Sequence, residues 1–152
     1  MRKVFVGCLI VILCSAGCKK DKGCEPVAPE AEQPQIEKFV TDNNLVSMKN
    51  YRGIYYQIVD LGYGATPDIN STVVVTYTGK FLNGNIFDEK ASADSFQLNK
   101  VIEGWQIGLP LIKKGGRIKM VIPSAYAYGC VGNGPIPPNA VLYFDVKLED
   151  VK

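Results

Sequence analysis

The sequence predicts an α+β domain in which about five antiparallel strands wrap one short helix. Two kinds of period and a set of turn signals carry that expectation. Apolar residues alternate at 73, 75, 77 and 81, at 118, 120 and 122, and at 142, 144, 146 and 148, which is the period of a half-buried strand. Between those runs, Ile102, Trp105, Leu109 and Ile112 recur at spacings of three and four, the period of one helical face. Asn83-Gly84 and Gly115-Gly116 are turn signals placed between alternating segments.

Taken in chain order, the domain opens with a β-rich run from Ile54 to Val59, closed by Gly62 and Gly64. Thr72 to Leu82 sets Val73, Val75, Tyr77 and Phe81 on one side and Thr76, Thr78 and Lys80 on the other. After the Asn83-Gly84 turn, Ile86-Phe87 resumes the sheet, and Phe96 to Leu98 reads as a separate short strand leading into the helix. The helix contains the only tryptophan, but Gly104, Gly108 and Pro110 make it a poor free-standing helix. Packing by the flanking strands must hold it. Ile118 to Ile122 follows, then a Gly- and Pro-rich loop from Ser124 to Pro138, and the last strand from Leu142.

The N-terminus reads as an address. Arg2-Lys3 precedes ten apolar residues, Val4 to Leu13, too few to span a bilayer and suited to an export signal. Ser15-Ala16-Gly17-Cys18 resembles the lipobox of bacterial lipoproteins, with Ser15 where leucine is usual. Residues 1–17 are thus expected to form a lipoprotein signal, with Cys18 as the lipidated first residue of the mature chain. An ordinary cleaved signal is the alternative. Residues 18–34, with Pro26, Pro29 and Pro34 and no apolar period, read as a solvated tether. Ile36, Phe39 and Val40 then share a helical face in a short amphipathic helix within 35–50, and the globular domain occupies 51–152.

Composition narrows the chemistry. Removing the signal takes Arg2 and Lys3 from the 17 basic residues, leaving 15 against 15 acidic ones, and no basic patch suggests nucleic acid. Histidine is absent, which excludes Ser-His and Cys-His catalysis and histidine metal sites. No metal or cofactor motif is found. Cys18, Cys24 and Cys130 remain after signal removal. In an oxidising compartment Cys24 and Cys130 can pair, and a free thiol at each is equally compatible with the sequence.

Tyr77, Phe87, Trp105, Tyr128 and Phe144 come from five segments. Strand alternation lets several of them meet over the helix, where rings with few charges form either plain core or a dry cleft. Asp88 would place one carboxylate at the rim of such a cleft.

Six blocks now carry a resemblance: Thr76-Tyr77-Thr78-Gly79, Phe87-Asp88, Val101-Ile102-Glu103-Gly104-Trp105, Tyr126-Ala127-Tyr128-Gly129, Ile136-Pro137-Pro138-Asn139-Ala140 and Leu142-Tyr143-Phe144-Asp145-Val146. In this order, over about a hundred residues, they resemble an FKBP-type peptidyl-prolyl cis-trans isomerase. The helix after a short tether resembles lipoprotein members from Bacteroidetes-like bacteria. The resemblance implies a half-open sheet around the helix, with Trp105 as the floor of a pocket. It implies Tyr77, Phe87, Val101, Ile102, Ile136 and Phe144 as walls. Tyr128 matches a hydroxyl donor to a substrate carbonyl, Ile102 a main-chain N–H donor and Asp88 the rim carboxylate. No cofactor is implied. The implied partners are proline-containing polypeptides, macrolide ligands and, through the lipid, a membrane; the protein is expected to be a monomer on the bacterial cell envelope, facing the periplasm or on the outer membrane. Three departures bear on substrate preference and macrolide affinity: Asp94 stands where the family commonly has an aromatic, the arginine that often pairs with the rim carboxylate has no counterpart in residues 89–93, and the loop after Tyr128 is slightly shorter than in the best-known members and carries Cys130 and Asn133. A binding module with little turnover, or a holdase, are the alternatives to an enzyme.

Overall fold

A computed structural model describes residues 23–50 and 52–152, so residues 1–17, expected to be a signal, and Cys18, expected to be lipidated, lie outside the described residues. Helix α1 spans Pro29–Asp42. Strands follow at Met48–Lys49 (β1), Tyr55–Asp60 (β2), Thr72–Phe81 (β3) and Ile86–Gln97 (β4), then helix α2 at Glu103–Gly108, β5 at Arg117–Ile122 and β6 at Leu142–Val151. All strand pairs are antiparallel, in the order β1-β2-β5-β6-β3-β4. The sheet therefore has six strands where about five were expected. The sixth is β1, a two-residue strand pairing Met48 with Tyr56 and Lys49 with Tyr55, too short to show any alternation.

The sheet curls over α2, and the main core fills the concave side. Val73, Val75, Ile118, Met120, Ile122, Leu142, Val146 and Leu148 meet Trp105, Leu109 and Ile112 there. Six helical residues plus a 3-10 turn at Leu109–Leu111 carry the predicted apolar face, with Pro110 accommodated in the turn. The two helical glycines have a packing reason. A Cβ on Gly104 would lie 2.5 Å from Ile122, and one on Gly108 would collide with the Met120 sulfur. Glycine's cost in helix propensity is what lets α2 lie directly on β5.

Two expectations about local structure differ from what is observed. The N-terminal helix begins at Pro29, inside the stretch read as tether. Pro29 sits in the first turn, where its missing N–H has no helical partner to lose, and Glu30 and Glu32 favour the positive helix end. Pro34, inside the helix, breaks one backbone bond, and tertiary contacts hold the helix regardless. Ile36 is wholly buried against Tyr55, Val121 and Val141 on the convex side of the sheet. Second, Ile86–Gln97 is one strand of twelve residues, not two short pieces. It is a sheet edge, paired only with β3, so most of its side chains face water and the apolar alternation is lost. Between Val75↔Asp94 and Tyr77↔Lys90 the register takes up two extra residues, a bulge around Ala91–Ala93.

Cys24 and Cys130 form a disulfide that joins the segment before α1 to the loop after Tyr128. Among the described residues no helix is long and apolar enough to cross a membrane, which leaves β-barrel spans unaddressed.

Candidate active site

A cavity of about 370 Å³ opens above α2 on the concave side of the sheet. Tyr77, Phe87, Phe96, Trp105, Tyr128 and Phe144 supply its rings, and Asp88, Lys100, Val101, Ile102 and Asn133 complete the wall. Of the nine residues expected at the site, eight line it. Ile136 is the exception: it lies in the adjoining core, 6% exposed, and pairs with Asn133 through a short bridge. Its apolar character puts it behind the wall, where it supports Asn133.

The ring cluster is built edge to face. Tyr77 and Trp105 lie 5.1 Å apart at 85°, Trp105 and Phe144 5.4 Å apart at 81°, and Phe87 and Phe144 5.5 Å apart at 88°. Phe96 meets Trp105 at 6.2 Å and 88°. Such T-shaped pairs place a positive ring edge on a negative ring face, so the cluster is directional as well as apolar. Strand period explains the convergence. Tyr77 and Gly79 share one side of β3, and Gly79 is paired with both Asp88 on β4 and Phe144 on β6. Gly79 is required by the rings themselves, since a Cβ there would sit 2.7 Å from Phe87 and 3.0 Å from Phe144.

Trp105 is 4% exposed, and its indole N–H has no hydrogen-bond partner among the described residues. Ile102 occupies the N-cap of α2 in an extended conformation, and its carbonyl accepts from the Trp105 and Gln106 amides. The Gln106 side chain donates to the Val101 carbonyl at 2.8 Å, which fixes the turn entering the helix. Arg52 pairs with Glu103 at 2.8 Å and lies over the Tyr126 ring at 5.5 Å, bracing α2 against the segment that leads to Tyr128.

The polar groups are few and tied together. The Tyr77 hydroxyl donates to Asp88 at 2.6 Å. Asp88 thus has a phenol as its partner in a chain without the rim arginine. Burial, and secondarily the Asp88 hydrogen bond, push the Tyr77 phenol far above the ordinary tyrosine value. Burial also raises Tyr128, the nearby Asp88 charge adds to this, and a side-chain hydrogen bond with Asn133 works the other way. Both phenols therefore stay protonated donors at neutral pH. Asp94, standing in for an aromatic, is turned to ionic use and reaches Lys90 at 3.7 Å.

Phe96, Lys100, Asn133 and the ring-spacing Gly79 were not expected at the site from sequence. Phe96 is legible as an aromatic of the strand that leads into the helical segment. Nothing in the sequence distinguishes Lys100, and Asn133 stands out only as a residue of the shorter loop after Tyr128. A second cleft, about 410 Å³, lies against the sheet among Thr76, Thr78, Lys80, Arg117, Tyr143 and Asp145. Its charges are largely paired within the sheet, Arg117 with Asp145 and Lys147 with Glu149.

Comparison with known proteins bears on what such a cavity belongs to. The profile of the FKBP-type peptidyl-prolyl cis-trans isomerase family matches residues 64–149. The FKBP-type peptidyl-prolyl cis-trans isomerase FkpA of Escherichia coli K12 is 45% identical over 119 residues, covering 76% of this chain and 43% of that relative. The chain thus spans less than half the length of the curated relative. The crystal structure of Escherichia coli FkpA superposes with a TM-score of 0.73 at 42% identity, over 82% of this chain and 61% of that one. A peptidyl-prolyl cis-trans isomerase structure from Pseudomonas syringae gives 0.70 at 31% identity, over 84% of this chain and 98% of that one. With the profile matching more than half of the sequence and the curled sheet, central helix and ring cluster in place, the chain belongs to the FKBP-type peptidyl-prolyl cis-trans isomerase family.

Proposed function

We propose that the domain is a working peptidyl-prolyl cis-trans isomerase and that the cavity over Trp105 is its site. The observation that carries this reading is the ring-lined cavity with protonated phenols and one carboxylate, and with no histidine, serine or cysteine among its lining residues. Isomerising an Xaa-Pro bond requires none of the missing groups. Rotation interrupts amide resonance against a barrier of ~18–20 kcal/mol and takes tens to hundreds of seconds unaided. The twisted amide is less dipolar than the planar one, so a dry aromatic cavity favours it relative to water. Reducing ~100 s to about a millisecond needs roughly 7 kcal/mol, at 1.36 kcal/mol per decade.

The residues divide that task. Trp105, Tyr77, Phe87, Phe96 and Phe144 receive the proline ring and exclude water. Tyr128 donates its hydroxyl to a substrate carbonyl, and the Ile102 main-chain N–H donates to another. Val101 closes the wall beside Ile102. Asp88, held by Tyr77, is the rim carboxylate, where it accepts from a substrate backbone N–H and holds the chain beside the twisting bond. These contacts tighten as the bond twists, which is what accelerates rotation.

The setting follows from the N-terminus. The apolar signal, the Cys18 lipobox and the Cys24–Cys130 disulfide support an exported chain, lipid-anchored at the cell envelope, that acts on proline-containing polypeptides as they fold there. The departure at Asp94 favours a second reading, in which the cavity holds proline segments or a macrolide with little turnover. Exchange spectroscopy on a Leu-Pro peptide separates the two. Exchange between cis and trans signals accelerated by catalytic protein, and saturating with peptide, supports the isomerase. Saturable binding without acceleration supports the module.

A further inference from the structure

The cavity loop does not stand alone. Tyr128 and Asn133 line the cavity from an arch that includes Gly129, Gly132 and Gly134, all with positive φ. Hydrogen bonds inside the arch set its shape: Gly132 N–H donates to the Tyr128 carbonyl at 3.1 Å, and Asn133 and Ile136 exchange a pair at 2.9 Å. The ends of the arch are anchored, Gly129 by its N–H to the Ser124 carbonyl at 2.8 Å and Asn133 by its pair with the buried Ile136, while its crown is held otherwise. Between Tyr128 and the buried Ile136, Val131 is 78% exposed, and the covalent tie is Cys130 to Cys24.

The other end of that tie is a built strap. Asn139, at the base of the arch, donates to the Glu25 carbonyl at 3.2 Å and accepts from the Val27 N–H at 3.4 Å. Its own N–H donates to the Gly129 carbonyl at 2.8 Å. The strap continues into α1, where the buried Glu32 carboxylate accepts from the Ser124 N–H at 2.8 Å, four residues before Tyr128. One N-terminal segment thus grips both flanks of the tyrosine that faces the cavity.

We propose that the Cys24–Cys130 disulfide is a positioning element for the site: it fixes the 128–134 arch to the N-terminal strap so that Tyr128 and Asn133 keep their places in the cavity wall. This rests on the isomerase reading of the cavity. A site left 1 Å loose loses turnover without losing its residues, so opening the bridge lowers kcat/KM by about three- to tenfold in a domain that remains folded.

The experiment uses the full chain in two forms. In one, a dithiol reductant opens the bridge: its thiolate attacks one sulfur, a mixed disulfide forms, and the reagent closes to its own cyclic disulfide. Cys24 and Cys130 take up two electrons and two protons. The other form is the C24A/C130A variant. Near-UV circular dichroism verifies the fold of each, and the reduced protein keeps the assay meaningful should the variant fail to fold. The expected result is a matching fall in kcat/KM in both forms, reversed by reoxidation in the first. A double-mutant cycle adds Tyr128→Phe to each background, and its effect is expected to shrink once the bridge is open. Unchanged kinetics beside a lowered Tm, or a Tyr128→Phe effect of the same size in both backgrounds, would overturn the proposal and leave the bridge a structural staple. The ring resonances of Tyr128 provide a readout independent of turnover. They are expected to shift on reduction, and no shift overturns the proposal even if the wild-type protein proves to be a binding module.

Discussion

Gly79→Ala tests whether ring spacing governs the cavity. The substitution adds one methyl on β3, in a conformation alanine adopts without backbone strain, since Gly79 is not among the positive-φ glycines. Alanine's lower backbone entropy in the unfolded chain contributes roughly 0.5–1 kcal/mol toward folding. Against this, the methyl would sit 2.7 and 2.9 Å from two Phe87 ring carbons and 3.0 Å from Phe144. Contact needs about 3.5–4.0 Å, so Phe87 must move by most of an ångström. Phe144 resists displacement, being 3% exposed and packed edge-on to Trp105. The moving ring is therefore Phe87, half-buried at the cavity wall. Overpacking costs about 1–3 kcal/mol, for a net destabilisation of roughly 0.5–2 kcal/mol. The account predicts a Tm lowered by a few degrees and kcat/KM on a Leu-Pro peptide lowered by about tenfold, the equivalent of 1.4 kcal/mol. An alanine variant of equal activity and unchanged aromatic circular dichroism would refute the claim that ring spacing sets the site.

Two further predictions concern pH and the N-terminal helix. Both cavity phenols are raised above 10.0, so turnover is expected to stay flat from pH 6 to 9, where an imidazole-dependent enzyme changes. Above pH 10 the unfolded chain releases these protons while the folded one retains them, so stability falls as pH rises further; denaturant titrations at pH 8 and 10.5 check the sign. Glu32→Ala removes the carboxylate that accepts from the buried Ser124 N–H. A hydrogen bond to a charged group is worth about 1.5–3 kcal/mol, so thermal unfolding should register a clear loss, and Glu32→Gln, which retains an acceptor oxygen, should lose less than half as much.

Most of the fold was legible because its strands are amphipathic. Ile118, Met120 and Ile122, like Leu142 to Leu148, alternate because one side packs on α2 and the other meets water or α1. The illegible parts lack that asymmetry. β4 is an edge whose residues are mostly exposed, and its Asp88-to-Ser95 stretch reads as loop. Helix α1 starts six residues before the sequence suggests because Pro29 and Pro34 count as breakers locally, whereas burial of Ile36 and the hydrogen bond from the Ser124 N–H to Glu32 decide the matter at a distance. The cavity rings were visible as types, and eight of nine expected residues meet there. Gly79, Lys100 and Asn133 were not visible as site residues, because their roles depend on which neighbours the sheet brings to them. The Cys24–Cys130 pairing was open for the same reason, its partners lying 106 residues apart.

The central claim is that the cavity over Trp105 accelerates Xaa-Pro rotation through Tyr128 and Asp88. The most direct measurement is cis-trans exchange on one short Xaa-Pro peptide by the wild-type protein, Tyr128→Phe and Asp88→Ala, each with its fold verified. The account predicts clear acceleration by the wild-type protein and a fall of about tenfold or more in each variant, the loss of one donor or charge felt mainly in the transition state. Wild-type rates in both folded variants, or no acceleration by any of the three, would contradict it.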